Sequence, residues 1–572
     1  MSARATDILL VRDAARRHMN AGSYAAELLR LEGLPAATVL APTGVCAGPP
    51  WRHGTRVLVA DAPLTAREAG ALCERVAEGH LLAAFLPGAA LLGALGLEPT
   101  WSTRLGGRLR LRLDGWRDLS LRFHGPLLGA RPPADAEVIA DDDAGAPAIV
   151  RLALGRGQAL LFLYDLPRSV ALARQGDPAR LDGSANRVWP GWRAADLFVG
   201  HQDLDLARVP HADLQCHLLR HLLAEWPASD QVAPPLPWLW YFPGDADTVI
   251  VLTSDDDWST RDQFEELIAC ARAADATITF YLVADTRVTP ADRERWTGAG
   301  HTFSIHPAIE EPAARTWRST VRRHRRSFEA RFGAPPGPSI RLHAVPWVGY
   351  ARAAEWDLAA GFRWDASFFT CPPCTRHYMT ASGLPCPFIT EMGRVVPAFQ
   401  QPAQYSDETT LGAGGMPFTL GLTAPRAAAI VTADVAANAR RHHSALCVNM
   451  HPVSFAGYSR ALWEPVLADA AARGVPRMAL EHWAAFWESR RDVRVSPAER
   501  MPNGWSWRVS APPGAVKHRM MLAGRHAGAP LQELAWDGVS AVATRRTVHD
   551  VEHLSVPVPV GDHTLMATYD PR

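Results

Sequence analysis

Val249-Ile250-Val251-Leu252-Thr253-Ser254-Asp255-Asp256-Asp257-Trp258 is the stretch on which the reading of this chain turns. Its apolar β-formers end in three consecutive carboxylates, at the point where a strand should stop. Adjacent carboxylates repel one another, and the arrangement is costly unless a cation or a shared proton compensates. Strand ends are also where barrel and open α/β enzymes place their chemistry, because the loops vary while the sheet stays rigid. A solvated acidic loop is the plain alternative, so the choice depends on what stands at the other strand ends.

Four later segments have the same form. Ala299-Gly300-His301-Thr302-Phe303-Ser304-Ile305-His306-Pro307 follows a helix expected over Pro290–Thr297. Ser339-Ile340-Arg341-Leu342-His343 comes next, then Gly361-Phe362-Arg363-Trp364-Asp365-Ala366-Ser367-Phe368. Last is Ala445-Leu446-Cys447-Val448-Asn449-Met450-His451-Pro452. Each is a short apolar run ending in His, Arg or Asp. One such His is more often structural, but several in series after an Asp triplet point to a site. Neutral imidazole and carboxylate together suit a borderline divalent ion such as zinc.

These segments resemble the motifs of polysaccharide deacetylases of the NodB-homology type, carbohydrate esterase family four, over roughly Asp245–Arg491. Thr253–Asp257 resembles the family's T-F-D-D-G. The resemblance implies Asp255 as the base that deprotonates water and Asp256 as a metal ligand. Gly300-His301 followed by His306 resembles the approach to H-S/T-x-x-H, with His306 as its first imidazole and a second metal ligand. The second imidazole would fall at Glu310, a departure; either Glu310 ligates or His343 completes the set. Arg341 corresponds to the Arg that holds the catalytic Asp, and Asp365 to that Arg's partner. His451 corresponds to the general acid. Asp257 stands where the family keeps Gly, beside the substrate mouth, and Trp258 next to it offers a ring face for a sugar.

The implied activity is metal-dependent removal of an acetyl group from an N-acetylated sugar or polysaccharide. The expected cofactor is a divalent ion, zinc foremost, with cobalt, nickel or manganese as alternatives. Two other readings stay open: a catalytically inactive carbohydrate-binding or assembly protein on the same fold, and a metal-free amidohydrolase acting on a non-sugar substrate.

At 572 residues the chain exceeds one ordinary core, and the expectation is a multidomain α/β protein. In residues 1–226, buried-looking runs at Ile8–Val11, Ala37–Leu40, Arg56–Ala60 and Leu81–Leu86 alternate with helical patterns. One of these patterns, Thr65–Glu78, has Thr65 as its N-cap. This predicts an open parallel-sheet α/β domain. It resembles glutamine-amidotransferase-like or ThuA-like domains, but Phe85-Leu86-Pro87-Gly88-Ala89-Ala90 lacks their nucleophilic Cys, which argues for a non-catalytic role. Residues 227–244 are Pro-rich and read as a stiff linker. Residues 245–491 are the expected catalytic domain, a deformed (β/α) barrel. Residues 492–572 read as a small β-sandwich, with strands at Trp505–Ser510, His518–Ala523, Ser540–Thr547 and His553–Pro559.

Composition excludes several classes. Basic and acidic residues balance at 59 each, and Arg322-Arg323-His324-Arg325-Arg326 reads as the solvated face of a helix, so no nucleic-acid partner is expected. No stretch reaches the roughly 20 apolar residues of a membrane span. The N-terminal apolar run is too short for a signal peptide, so a cytoplasmic location is the expectation. Eight scattered Cys form no disulfide framework. Cys371, Cys374, His377 and Cys386 match no zinc module. The polar stretch Gln400–Glu408 reads as a groove lining or an ordinary loop. The flanking regions suit recognition of something extended, or homo-oligomerisation.

Overall fold

The computed structural model describes residues 6–14, 22–46, 51–52, 54–181, 193–198, 208–225, 233–310, 313–369, 381–415, 419–514 and 517–570. Cys371, Cys374 and His377 lie outside them.

The N-terminal region is built on a nine-stranded sheet. Thr38–Leu40, Ile8–Val11, Arg56–Ala60, Leu81–Phe85 and Gly157–Phe162 run parallel in that spatial order. The remaining four, Pro147–Leu154, Glu137–Asp142, Glu98–Leu111 and Ser120–Arg131, continue the sheet antiparallel. The expected all-parallel sheet is therefore corrected to a mixed one. A parallel crossover needs a dozen or more residues, and the turns joining these four strands are shorter. Helix Ala66–Ala77 begins as expected, with Thr65 and Glu68 forming a reciprocal capping box. Leu86, at φ 44°, makes the turn where the resemblance would put a nucleophile.

The Pro-rich stretch is not a free linker. Every residue from Ala233 to Phe242 is buried, and Trp238–Leu239 forms a strand antiparallel to Arg519–Ala523. Its aromatic residues, Trp238, Trp240, Tyr241 and Phe242, supply apolar area, and its prolines have no N–H to leave unsatisfied. The Arg490 guanidinium donates to the carbonyls of Leu31, Leu239 and Trp240, joining three parts of the chain. Gly33 faces this strap so closely that a Cβ would meet Leu239 N and O at 2.7 Å.

The central sheet has ten strands. From Ile250–Asp255 it extends through Thr279–Leu282, Thr302–Ile305, Ser339–Ile340, Trp364–Asp365 and Val395–Gln400, all parallel. On its other side lie Leu446–Met450 and Tyr405–Ser406, also parallel. Cys386–Ile389 is an antiparallel edge, and Arg477–Ala479 pairs with Ile250–Leu252. Among the described residues no ladder joins the two outer strands, so the sheet is an open half-barrel. All parallel strands point their C-terminal ends at one rim, which gathers the acidic triplet and the four later segments.

The C-terminal region has two antiparallel sheets over a shared core that includes Trp507, Met520, Leu522, Leu534, Val556 and Leu565. The strand expected over Ser540–Thr547 starts later, at Thr544–Val548. The buried strap adds Trp238–Leu239 to one of these sheets. No helix among the described residues is long and apolar enough to cross a membrane.

Candidate metal and acid–base site

Strand and turn together sort the triplet. The strand Ile250–Asp255 delivers Asp255 to a cavity at its end, and the turn that follows brings Asp257 into the same cavity. Asp256 does not line it. Its Oδ2 instead accepts the Val283 N–H at 3.3 Å, and burial pushes its carboxyl up to about 6. Asp257 and Trp258 both have left-handed backbone, φ 42° and 57°, as do Ala344 and Val345 across the cavity. Four non-glycine residues in that region at one rim mark a strained loop cluster, of the kind that sites retain when surrounding structure holds it.

The cavity has a volume of about 250 Å³. Asp255, Asp257, His306, Arg341, His343, Glu408, Asn449 and His451 line it, with Leu342, Val345 and Phe369 as an apolar wall. His306 Nδ1 donates to the Arg341 carbonyl at 2.9 Å, which turns Nε2 inward, 3.3 Å from Asp257 Oδ1. His451 is set in the same way: Nδ1 donates to Asp407 Oδ1 at 2.6 Å, and Nε2 faces Asp255 and Asp257, each at 3.7 Å. Asp407 is fully buried and also accepts from the His451 N–H and the Ser459 hydroxyl.

Asp255 is gripped from two sides. Asn449 Nδ2 donates to its Oδ2 at 2.8 Å, and Arg341 Nη1 lies 3.6 Å from its Oδ1. The Thr253 hydroxyl donates to the Val448 carbonyl at 2.7 Å and lies 3.2 Å from Asn449 Oδ1, so it shares its one proton between the two. Asp365, expected to partner Arg341, makes no hydrogen bond to it among the described residues. Its carboxylate accepts the Ser367 N–H and hydroxyl, and burial pushes it up to about 7. Arg341 Nε donates instead to the neighbouring Ala366 carbonyl at 2.7 Å.

The electrostatics follow from this crowding. Burial alone would lower His451, but Asp407, Glu408 and Asp257 together hold its imidazole well above the usual range. His306 is likewise raised by Asp255 and Asp257 against burial. Burial would raise Asp257, yet His306, His451 and His343 hold it well below the usual carboxylate range. Glu408 is raised, first by burial.

Of the other expected residues, His343 lines the cavity, its ring edge-on to His306 and to Trp258 at 5.4 and 5.3 Å. Trp258 is 46% exposed, and its Nε1 is tied to Asp285. Glu310 is exposed and absent from the cavity lining, so the second-imidazole position is not filled there. Cys386 is buried in a strand, and Gln400, Gln401 and Gln404 are buried within the fold. Sequence reasoning assigns no role to Asn449, and it reaches Asp407 and Glu408 only as part of the stretch Gln400–Glu408, read as a groove lining or a loop. Spacing offers a signal for one of them: Asn449 is two residues before His451, hence on the same strand face.

The donor set fits a divalent ion. Oδ1 of both Asp255 and Asp257 is buried without a hydrogen-bond partner. Two imidazoles turn Nε2 inward with Nδ1 tied back, the arrangement that fixes ligating His. Ligand atoms of Asp257, Glu408 and His451 lie within 4.8 Å of one another.

No family model and no curated protein sequence matches this chain. Among solved structures it is similar to a polysaccharide deacetylase candidate from Mycobacterium smegmatis, at 16% identity and a TM-score of 0.34, covering 46% of this chain and 96% of that one. It is similar also to a polysaccharide deacetylase from Bacillus cereus, at 17% identity and a TM-score of 0.27, covering 41% and 91%. A family 4 carbohydrate esterase from Streptomyces lividans aligns at 10% identity and 0.27, covering 41% and 92%. These likenesses are distant and span under half of the chain.

Proposed function

We propose that this chain is a metal-dependent hydrolase that removes the acetyl group from an N-acetylated sugar. Residues 245–491 would carry the reaction, with 1–226 and 492–572 flanking it. The observation that carries the reading is the pairing of Asp255 with His451. Their polar atoms stand 3.7 Å apart across one cavity, and each is held by its own buried partner, Asn449 and Asp407.

Asp257 and His306 would hold the ion. When bound, a divalent ion polarises an amide carbonyl and lowers the pKa of water beside it. Asp255 takes the proton from the attacking water at its carboxylate. His451 delivers a proton from Nε2 to the departing nitrogen, and Asp407 keeps Nδ1 protonated so that Nε2 is the atom presented. Arg341, with Nη1 and Nη2 buried and without hydrogen-bond partners, compensates the carboxylates. Leu342, Val345 and Phe369 suit the acyl methyl, and the exposed Trp258 suits a sugar ring at the rim.

The test is acetate release from N-acetylglucosamine oligomers by zinc-loaded protein, with ¹H NMR following the acetyl methyl. Folded, metal-loaded protein that releases none would sink the reading. Turnover indifferent to chelators would redirect it to the metal-free amidohydrolase.

A further inference from the structure

The sequence leaves one ligand position vacant: where a second imidazole should follow His306 stands Glu310, which is exposed and outside the cavity. We infer that Glu408, reaching in from the opposite side of the half-barrel, is the carboxylate ligand that takes this place. The assignment rests on the hydrolase reading only in requiring a metal at this cavity.

Four observations carry it. Glu408 lines the cavity, and its carboxylate lies with Asp257 and His451 in the one gathering of three donors within 4.8 Å found among the described residues. Its side chain makes no hydrogen bond there, and its Oε2 stands 4.0 Å from His451 Nε2. Its backbone is pinned: Tyr405–Ser406 pairs with Leu446–Met450, and the Glu408 N–H donates to the anchored Asp407 at 3.0 Å. The separations also suit coordination. Donors about 2.0–2.2 Å from a tetrahedral ion sit about 3.3–3.6 Å apart; His306 Nε2 stands 3.3 Å from Asp257 Oδ1, and a Glu408 carboxylate oxygen stands within 4.8 Å of an Asp257 oxygen, a gap that a bound ion would draw in.

His343 is the rival. It lines the same cavity, but among the described residues neither of its nitrogens comes within 4.0 Å of a carboxylate, whereas His306 Nε2 stands 3.3 Å from Asp257 Oδ1, and its ring meets His306 and Trp258 edge-on. The resulting set, Asp257, His306 and Glu408, has two carboxylates and one imidazole. It is harder than a set with two imidazoles and accommodates Mn²⁺ as well as Zn²⁺.

The experiment is titration of Zn²⁺ and of Mn²⁺ into metal-stripped full-length protein by calorimetry, with bound metal counted by mass spectrometry and no substrate present. Loss of an outer-shell partner costs about 10–100-fold in affinity, so Glu408→Gln should weaken both ions by more than about 100-fold. Glu310→Gln and His343→Ala should stay within a few-fold of the parent. Glu408→His should recover zinc affinity and lose manganese affinity, a pattern that a folding defect does not produce. The inference is overturned if Glu408→Gln binds zinc as the parent does, if His343→Ala loses as much, or if the parent binds neither ion. Metal held through Glu408 by a protein that releases no acetate would leave this assignment standing and end the deacetylase reading.

Discussion

Two regions of this molecule bury histidines among carboxylates and arginines, and they are built to opposite ends. At the cavity, the atoms left without hydrogen-bond partners belong to charged groups: Asp255, Asp257 and Arg341. The other region is a junction where N-terminal, central and C-terminal segments meet. There Glu32 accepts from His217 at 3.0 Å and from Tyr241, and pairs with Arg220 at 3.4 Å. His549 stacks on Trp116 at 3.8 Å and packs against His443, which meets Trp240. The unpartnered atoms here are ring nitrogens such as His443 Nδ1 and His549 Nε2, which a neutral imidazole can leave bare. Burial, followed by neighbouring cations, holds His443 and His549 well below the usual range and takes His221 to about 3. The cavity raises His306 and His451 instead. A count of His and Asp does not separate these two regions; the direction in which each moves its imidazoles does.

The contrast breaks most visibly under Asp255→Asn. Removing a general base costs about 10²- to 10⁴-fold in rate, and the expected result is that loss in kcat with the melting temperature nearly unchanged. Glu32→Ala should do the reverse. It leaves the buried Arg220 and His217 without their carboxylate, a loss of about 3–5 kcal/mol, read as a lower denaturant midpoint with kcat intact in the folded fraction. A kcat loss in Glu32→Ala equal to that of Asp255→Asn would erase the distinction.

Acid separates the two regions next. The folded-state values of His221, His443 and His549 lie below the unfolded value of about 6.5. Below that pH the unfolded chain takes up protons that the folded chain refuses, so stability falls as pH falls, by up to about 1.4 kcal/mol per unit for each group. In the metal-free chain His306 and His451 run the other way: their stabilisation is present below about pH 6.5 and is lost as pH rises through their folded values. Denaturant titrations from pH 7.5 to 5 should show the junction dominating, with a shallower fall in His221→Phe. A flat profile in both proteins would contradict the neutral junction.

Much of this is legible in the sequence, for reasons that also mark the failures. Buried strands announce themselves as apolar runs, and Thr65 announces its helix through Glu68. A run does not name its partner, so most of the antiparallel part of the first sheet stays hidden; the exception is the pair Ala148–Leu154 and Gln158–Asp165, which the tight turn Gly155-Arg156-Gly157 between them announces. Proline density suggests exposure, yet residues without N–H groups are the ones a chain can bury as a strap between other elements. Asp255, His306, Arg341 and His451 are legible because each follows an apolar run at the sheet rim. Motif position favours Asp256 over Asp257, whereas the left-handed turn beyond the strand, which no residue type announces, brings Asp257 into the cavity. Asp407 and Glu408 lie hidden in a polar stretch whose glutamines face inward to hold the backbone.

Asn449 carries the smallest expected effect and the sharpest version of the comparison. Its amide donates to Asp255 at 2.8 Å and lies 3.2 Å from the Thr253 hydroxyl, so it behaves like a junction residue placed inside the cavity. If it serves as a strut, Asn449→Leu should lower stability and leave kcat alone. If it positions the base, the loss appears in kcat with KM unchanged, since the water-activating carboxylate is free to turn away before the transition state while substrate binding is untouched. The expected result is the second, about tenfold in kcat, near 1.4 kcal/mol of barrier. A lower denaturant midpoint with kcat unchanged in the folded fraction would place Asn449 with the struts.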